Sequence, residues 1–138
     1  MENSFWVALG GASGTIGRYW CSGFIARLVG ETFPWGALAI NALGSFVIGF
    51  VAALTGPDGR VFVSTTARQF VMVGTCGGYT TFSSFSLQKL NLVNDGEWLP
   101  AAANISLSLI LCLFAVSIGY MLADSINSAH DAGFDRHR

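Results

Sequence analysis

The sequence predicts an all-α membrane protein whose single domain, residues 1–124, is built from four transmembrane helices. Three observations carry that expectation. Hydrophobic residues make up 52% of the 138-residue chain and charged residues only 11%, where a soluble domain keeps about 25% charged to hold its surface in water. The seven basic and eight acidic residues are clustered. Uncharged stretches of about 20 residues or more separate them, enough for a helix to cross hydrocarbon roughly 30 Å thick. The 17 glycines follow no three-residue period and read as close helix packing. A net charge of −1 and a pI near 6.0 provide no basic face for nucleic acid. So apolar a chain does not stay disordered.

The first helix is expected over about 5–28, its apolar run interrupted by Arg18, with Arg27 at its end. No basic stretch precedes its apolar run, as one would in a signal peptide. The second, about 33–55, falls in the gap between Glu31 and Asp58, and Pro57, Asp58 and Gly59 mark the turn that follows. The third, about 68–90, occupies the gap between Arg68 and Lys89. The fourth, about 98–123, occupies the gap between Glu97 and Asp124. A polar tail, 125–138, holds both histidines and is expected to fray. The second and fourth segments lack the polar stripe of a soluble bundle helix. Four crossings place Arg60, Arg68, Arg136 and Arg138 on one side against Arg27 and Lys89 on the other. That bias is too weak to fix one orientation, and chains inserting both ways would pair antiparallel.

Several motifs are open to more than one role. The three cysteines, Cys21, Cys76 and Cys112, lie in different apolar segments without metal-site spacing and read as small packing residues. The glycine run at 10–17 imitates a dinucleotide-binding turn, with Glu31 at the distance of a ribose-binding acid. No alternation of strand and helix follows it, and Gly10 with Gly14 forms a GxxxG face for a close helix neighbour. Arg18 either snorkels to the interface or lines an aqueous vestibule that attracts an anion. No acid lies within the spans to neutralise it, which favours an anion pathway. Asn41, inside the second helix, either bonds a neighbouring helix or offers N–H donors to an ion, with Ser45 one turn on.

The strongest signal is Gly74-Thr75-Cys76-Gly77-Gly78-Tyr79-Thr80-Thr81-Phe82-Ser83-Ser84-Phe85-Ser86. Adjacent glycines each cost a helix about 1 kcal/mol relative to alanine, so a break is expected near Gly77–Thr81. Unwound backbone at membrane depth is tolerated when it lines a cavity, and its freed carbonyls make a cation site. Phe82 and Phe85 share one helical face among hydroxyls. They serve either as packing or as positive ring edges facing an anion.

These residues resemble the CrcB/Fluc fluoride channels. The resemblance rests on 77–86, on Asn41 with Gly44 and Gly49, and on Gly-Thr-Ile-Gly-Arg-Tyr at 14–19, and it covers all four spans. It implies a multi-pass protein of the bacterial cytoplasmic (inner) membrane that exports fluoride and relieves its toxicity. It implies a homodimer of oppositely oriented subunits with two pores, although some relatives pair different subunits. It further implies a structural sodium ion at the dimer centre, held by carbonyls of Gly77 and Thr80. Phe82 and Phe85 would be the pore phenylalanines, Asn41 the pore amide and Arg18 the vestibule arginine. Thr81, Ser84, Asn104 and Ser108 would complete the fluoride pathway. Gln88, Asn104, Cys112, Ala37 and Ala39 depart from the family pattern, where an acid, a tyrosine, a serine and two threonines are usual.

Two other functions compete. A proton-coupled drug exporter of the small multidrug resistance type shares the size, the helices and the inverted dimer, but needs a membrane-embedded carboxylate that these spans lack. A purely structural membrane subunit leaves the hydroxyl-rich third helix without a purpose. No nucleophile–base or metal-ligand set supports an enzyme.

Overall fold

A computed structural model of the chain describes residues 2–30, 33–57 and 59–135. Met1, Glu31, Thr32, Asp58, Arg136, His137 and Arg138 lie outside the described residues, as do the loop and tail assignments that fall on them. Regular structure among the described residues is helical throughout. Helix α1 is Glu2–Val29, α2 is Trp35–Leu54, α3 is 65–79, α4 is Phe82–Asn94 and α5 is Trp98–Asp135. The third expected span is thus two helices, α3 and α4, meeting at Thr80 and Thr81.

Local chemistry sets the boundaries. Helix α1 stops at Gly30, whose φ of +80° suits a residue without a Cβ. The Gly30 N–H donates to the Ala26 carbonyl at 3.0 Å, closing the last turn. Pro34 precedes α2, where it has no N–H to leave unpaired. Ser64 caps α3, its Oγ accepting from the Ala67 N–H at 3.1 Å. From Phe70 to Cys76 the helix widens into π turns, and the Thr75 hydroxyl donates to the Phe70 carbonyl at 3.2 Å. Gly77 to Tyr79 then returns to α-helix.

The helices associate as two close pairs, α1 with α3 and α2 with α5; α1 against α2 joins them, and α4 leans chiefly on α5. Small residues set both pairings. A Cβ on Gly74 would lie 2.8 Å from the Val7 carbonyl oxygen and 2.9 Å from the Cα of Gly10, so α1 and α3 touch backbone to backbone. A Cβ on Gly49 would likewise meet Val116 Cγ2 of α5 at 2.9 Å. The Gly10–Gly14 face read as a surface for a helix neighbour is therefore occupied within the chain, by α3. Most buried apolar positions are alanines, Ala37, Ala53, Ala101 and Ala123, joined by Leu38, Ile40 and Cys76. Large side chains stand outward on α1 and α5, including Trp20, Phe24, Leu113 and Phe114. A soluble monomer rarely exposes so extensive an apolar surface.

Two helices, Trp35–Leu54 and Trp98–Ala129, are long and apolar enough to cross a membrane. The expected fraying after Ser125 is corrected: α5 stays helical to Asp135. Asn127 explains the persistence. It is buried, donates through Nδ2 to the Ala53 carbonyl at 3.1 Å, and accepts at Oδ1 from the Arg60 N–H at 3.0 Å. One amide therefore ties the last helix to the end of α2 and to the loop beyond it.

Gly74→Val should lower stability by about 2 kcal/mol or more, because backbone on both sides cannot give way. Gly11→Ala should be neutral or stabilising by up to about 1 kcal/mol, since its Cβ would meet nothing within 4 Å and alanine is the better helix former. Thermal unfolding of both variants in the same detergent checks the contrast.

Candidate functional site

The break between α3 and α4 is two residues of extended backbone. Thr80 has φ −80° and ψ 155°, and Thr81 has φ −149° and ψ 117°. Gly77 and Gly78, expected to unwind, remain helical, with Gly77 at φ −64° and ψ −37°. Their cost as helix residues is outweighed by packing, Gly78 lying against Gly11 of α1. What opens the helix is competition for the backbone of Thr81. Asn41 of α2 accepts from the Thr81 N–H at 2.9 Å and donates from Nδ2 to the Thr81 carbonyl at 3.2 Å. One side-chain amide thus satisfies both polar groups of the residue that leaves the helix. Gly44, one turn along α2, admits the break: a Cβ there would lie 3.4 Å from Tyr79 Cδ1 and closer still to Thr80 Cγ2.

The chain restarts at once as α4. Thr81 caps it, its Oγ1 accepting from the Ser84 N–H at 3.3 Å. The same hydroxyl donates to Ser84 Oγ at 3.2 Å. Thr80 turns back, its N–H and its Oγ1 both donating to the Cys76 carbonyl at 3.0 Å. With the Thr81 N–H drawn to Asn41, the Gly77 carbonyl loses the donor a continuous helix would give it. Among the described residues no donor reaches the Gly77 or Thr80 carbonyl oxygen. A Cβ on Gly77 would meet nothing within 4 Å, so this position opens on the molecular surface.

Beside the break lies an open cavity of about 470 Å³ between α2, α3, α4 and α5. Of the residues singled out from sequence, Asn41, Gly77, Thr80, Thr81, Phe82, Phe85 and Ser108 line it together. Arg18, Ser84 and Asn104 do not. Ser84 stands behind Thr81, and Asn104 lies one turn from Ser108 and accepts its hydroxyl at 3.4 Å. Phe82 is 79% exposed, and its ring centroid lies 5.7 Å from that of Phe85, the planes tilted by 34°. The remaining wall is mostly apolar, with Ile48, Ile105 and Leu109, and adds Ser45 and Cys112. Among the described residues no carboxylate lines it. Such a cavity offers hydroxyl and amide dipoles and ring edges, all weakly polar and none charged.

Sequence reasoning missed Lys89, which is buried with its ammonium 4.9 Å from the Phe85 ring centroid. The spacing Phe82, Phe85, Lys89 puts all three on one face of α4, a signal available from the sequence and not used.

Asn41→Leu should leave the Thr81 N–H and C=O unpaired and destabilise the protein by about 2–4 kcal/mol. Asn41→Asp keeps the acceptor but loses the donor and buries a carboxylate against the Thr81 carbonyl, so it should be at least as destabilising as the leucine variant. Chemical or thermal unfolding of the three proteins in one detergent gives the order.

Residues 5–120 match the family described as CrcB-like protein, Camphor Resistance (CrcB). The chain is 56% identical over 128 residues to a fluoride-specific ion channel FluC of Opitutus terrae, covering 93% of this chain and 97% of that protein. It is 60% identical over 121 residues to that of Rhodospirillum rubrum, covering 88% and 94%. It is 51% identical over 127 residues to that of Methylocella silvestris, covering 92% and 97%. A match spanning α1 to α5, break included, shows that the chain belongs to the CrcB family.

Proposed function

We propose that the protein is a fluoride-selective channel of the bacterial inner membrane, crossing it four times and releasing fluoride from the cell. One observation carries the reading most directly: a helix broken inside the molecule, whose hydroxyls and phenylalanines line an acid-free cavity. The names of the similar proteins support the choice of ion. Fluoride is small and strongly hydrated, so a pathway must replace its water with donors that are each weak and held in place. A full charge at the narrow part would trap the ion, and conduction requires that it leave. Asn41 offers its second Nδ2 proton, the Thr81 and Ser108 hydroxyls offer theirs by rotating away from Ser84 and Asn104, and Phe82 and Phe85 supply ring edges with only partial positive charge. Ser84 and Asn104 hold Thr81 and Ser108 from behind. Arg18 acts outside the constriction, as a vestibule charge that raises the local anion concentration. Nothing in this pathway needs a nucleophile or an acid–base pair, in keeping with a channel rather than an enzyme.

The working unit is a dimer of oppositely oriented copies. The exposure of Phe82 and of the surface at Gly77 supports this, since both leave the cavity open toward a second subunit. A different subunit of the same family would fit the same face. The Gly77 and Thr80 carbonyls, neutral oxygens without donors, suit a monovalent cation better than a divalent one, which draws carboxylates. When bound, sodium supplies a fixed positive charge that ties the two copies' backbones together. Here the chain's own part is to present those oxygens, freed when Asn41 takes the Thr81 N–H.

Phe82→Ile and Phe85→Ile keep bulk and apolarity but delete the ring edge. Each should fold and assemble, cost about 1–2 kcal/mol, and cut fluoride efflux from liposomes by roughly 100-fold or more, against the few-fold effect of a packing change. Two well-folded isoleucine variants with parental efflux would refute the aromatic pathway, and parental protein passing chloride as readily as fluoride would refute the choice of ion. A Cβ at Gly77 meets nothing within 4 Å in one copy, so Gly77→Leu should leave the helices intact while abolishing sodium-dependent stabilisation of the dimer. Unfolding temperature with sodium or with N-methylglucamine as the cation measures this. Labelling a C-terminal tag from each side of sealed membranes tests the opposed orientation, and a single-sided signal would exclude it.

A further inference from the structure

Lys89 is unusual for its surroundings. It is 5% exposed, and its Nζ has no hydrogen-bond partner among the described residues. A buried ammonium without a counter-charge is expensive, and a lysine free to snorkel would carry its head to water instead. The nearest carboxylates along the chain, Asp95 and Glu97, are exposed residues beyond the end of α4. Gln88 does not resolve the matter, because it lines a separate cavity with Ser22 and Asn91. What the ammonium meets is an aromatic face, 4.9 Å from the Phe85 centroid. A second buried donor is also unmatched: Asn104 is 1% exposed and its Nδ2 finds no acceptor. Asn104 belongs to α5, the helix on which α4 rests. Among the described residues three buried side-chain atoms of these two helices lack partners, the donors Lys89 Nζ and Asn104 Nδ2 and the acceptor Gln88 Oε1, and none is a carboxylate, so no formal negative charge balances the ammonium.

We infer that Lys89 sets the anion affinity of the cavity, acting through Phe85 as a fixed cation behind the ring. The inference rests on the anion-channel reading above. A cation over the face of an aromatic ring draws electron density toward itself and leaves the ring edge more positive. Phe85 belongs to the cavity wall and Lys89 does not. The ion therefore meets a strengthened ring edge and the long-range field of the ammonium without contacting it. This arrangement raises affinity for small inorganic anions without placing a trap in their path. Lys89 lies seven residues beyond Phe82, about 10 Å of helix rise, so its field grades along the cavity, being strongest at the Phe85 end. It is a positioning residue, and the chemistry it favours is that of a compact, hard anion.

The test is fluoride flux into liposomes holding the full chain, measured as a function of fluoride concentration. Lys89→Met preserves length and apolar stem but removes the charge. It should raise half-saturating fluoride by about tenfold, the effect of one unit charge several ångströms away in a partly dry site, and leave maximal flux and unfolding temperature near parental values. Lys89→Arg should restore half-saturation, which a role in packing alone does not predict. Should Lys89→Met fail to fold, Lys89→Gln carries the same comparison. Parental half-saturation in the neutral variant, or an arginine variant as impaired as the neutral one, would overturn the inference while leaving the channel reading intact. Parental protein with no flux above protein-free vesicles would overturn both.

Discussion

The hydrogen-bonded closure of Asn41 on Thr81 is the constraint from which the rest of the site follows. A peptide released from a helix in apolar surroundings carries an N–H and a C=O that water does not reach, and each unpaired group costs several kcal/mol. Asparagine is suited to the task because its amide presents a donor and an acceptor side by side, matching the two groups of one residue. A hydroxyl would have to serve both groups from one atom, and a carboxylate has no donor. Once Thr81 is held, the Gly77 carbonyl is left free, Thr80 turns back on Cys76, and α4 starts with its own cap. The direction of α4 and the outward position of Phe82 are consequences of that bond pair.

A second consequence is electrostatic. Every polar group at the break is neutral, and nearly every one is committed to a partner, so the cavity contributes fixed dipoles rather than mobile charge. Formal charges stand back from it: Arg18 is on α1, and Lys89 is behind the ring of Phe85. The wall is otherwise aliphatic. Such a setting strengthens each dipole through its low polarisability, while keeping the depth of any single binding position shallow. The small residues between helices serve the same end, because backbone contact at Gly74 and Gly49 leaves little room for the framework to relax around an ion.

Much of this was legible in the sequence because a membrane-like composition leaves few places for polar atoms. The four apolar segments, the Asn41 amide and the hydroxyl cluster after Tyr79 all stand out against their neighbours. The expected break near Gly77–Thr81 is found at the far end of that stretch, at Thr80 and Thr81, for a physical reason. Propensity pointed at Gly77 and Gly78, but propensity counts only the local cost, while close contact with α1 rewards glycine in a helix there. The decisive partner, Asn41, lies 40 residues away, and no local window brings it to Thr81. Arg18 stands outside the cavity for the same reason, since a charge can be noticed in sequence while the face it occupies depends on packing. The persistence of α5 past Ser125 escaped notice because polarity suggested solvent, whereas Asn127 uses its polarity to bind backbone.

The wide turns of Phe70–Cys76 bear on how this chain tolerates change in length. A regular α-helix advances about 100° per residue, and a stretch bonded five residues apart advances less, so these turns set the angular phase of everything after them. Within the stretch, α3 must face α1 at Gly74; downstream, Thr81 must face α2. Removing one residue from this stretch, or restoring it to ordinary winding, would leave every side chain present and the composition nearly unchanged, yet rotate the break away from its amide. The segment thus works as a spacer of angle rather than of distance. Relatives that differ by one residue here would need a compensating change before Thr81 to keep the same architecture.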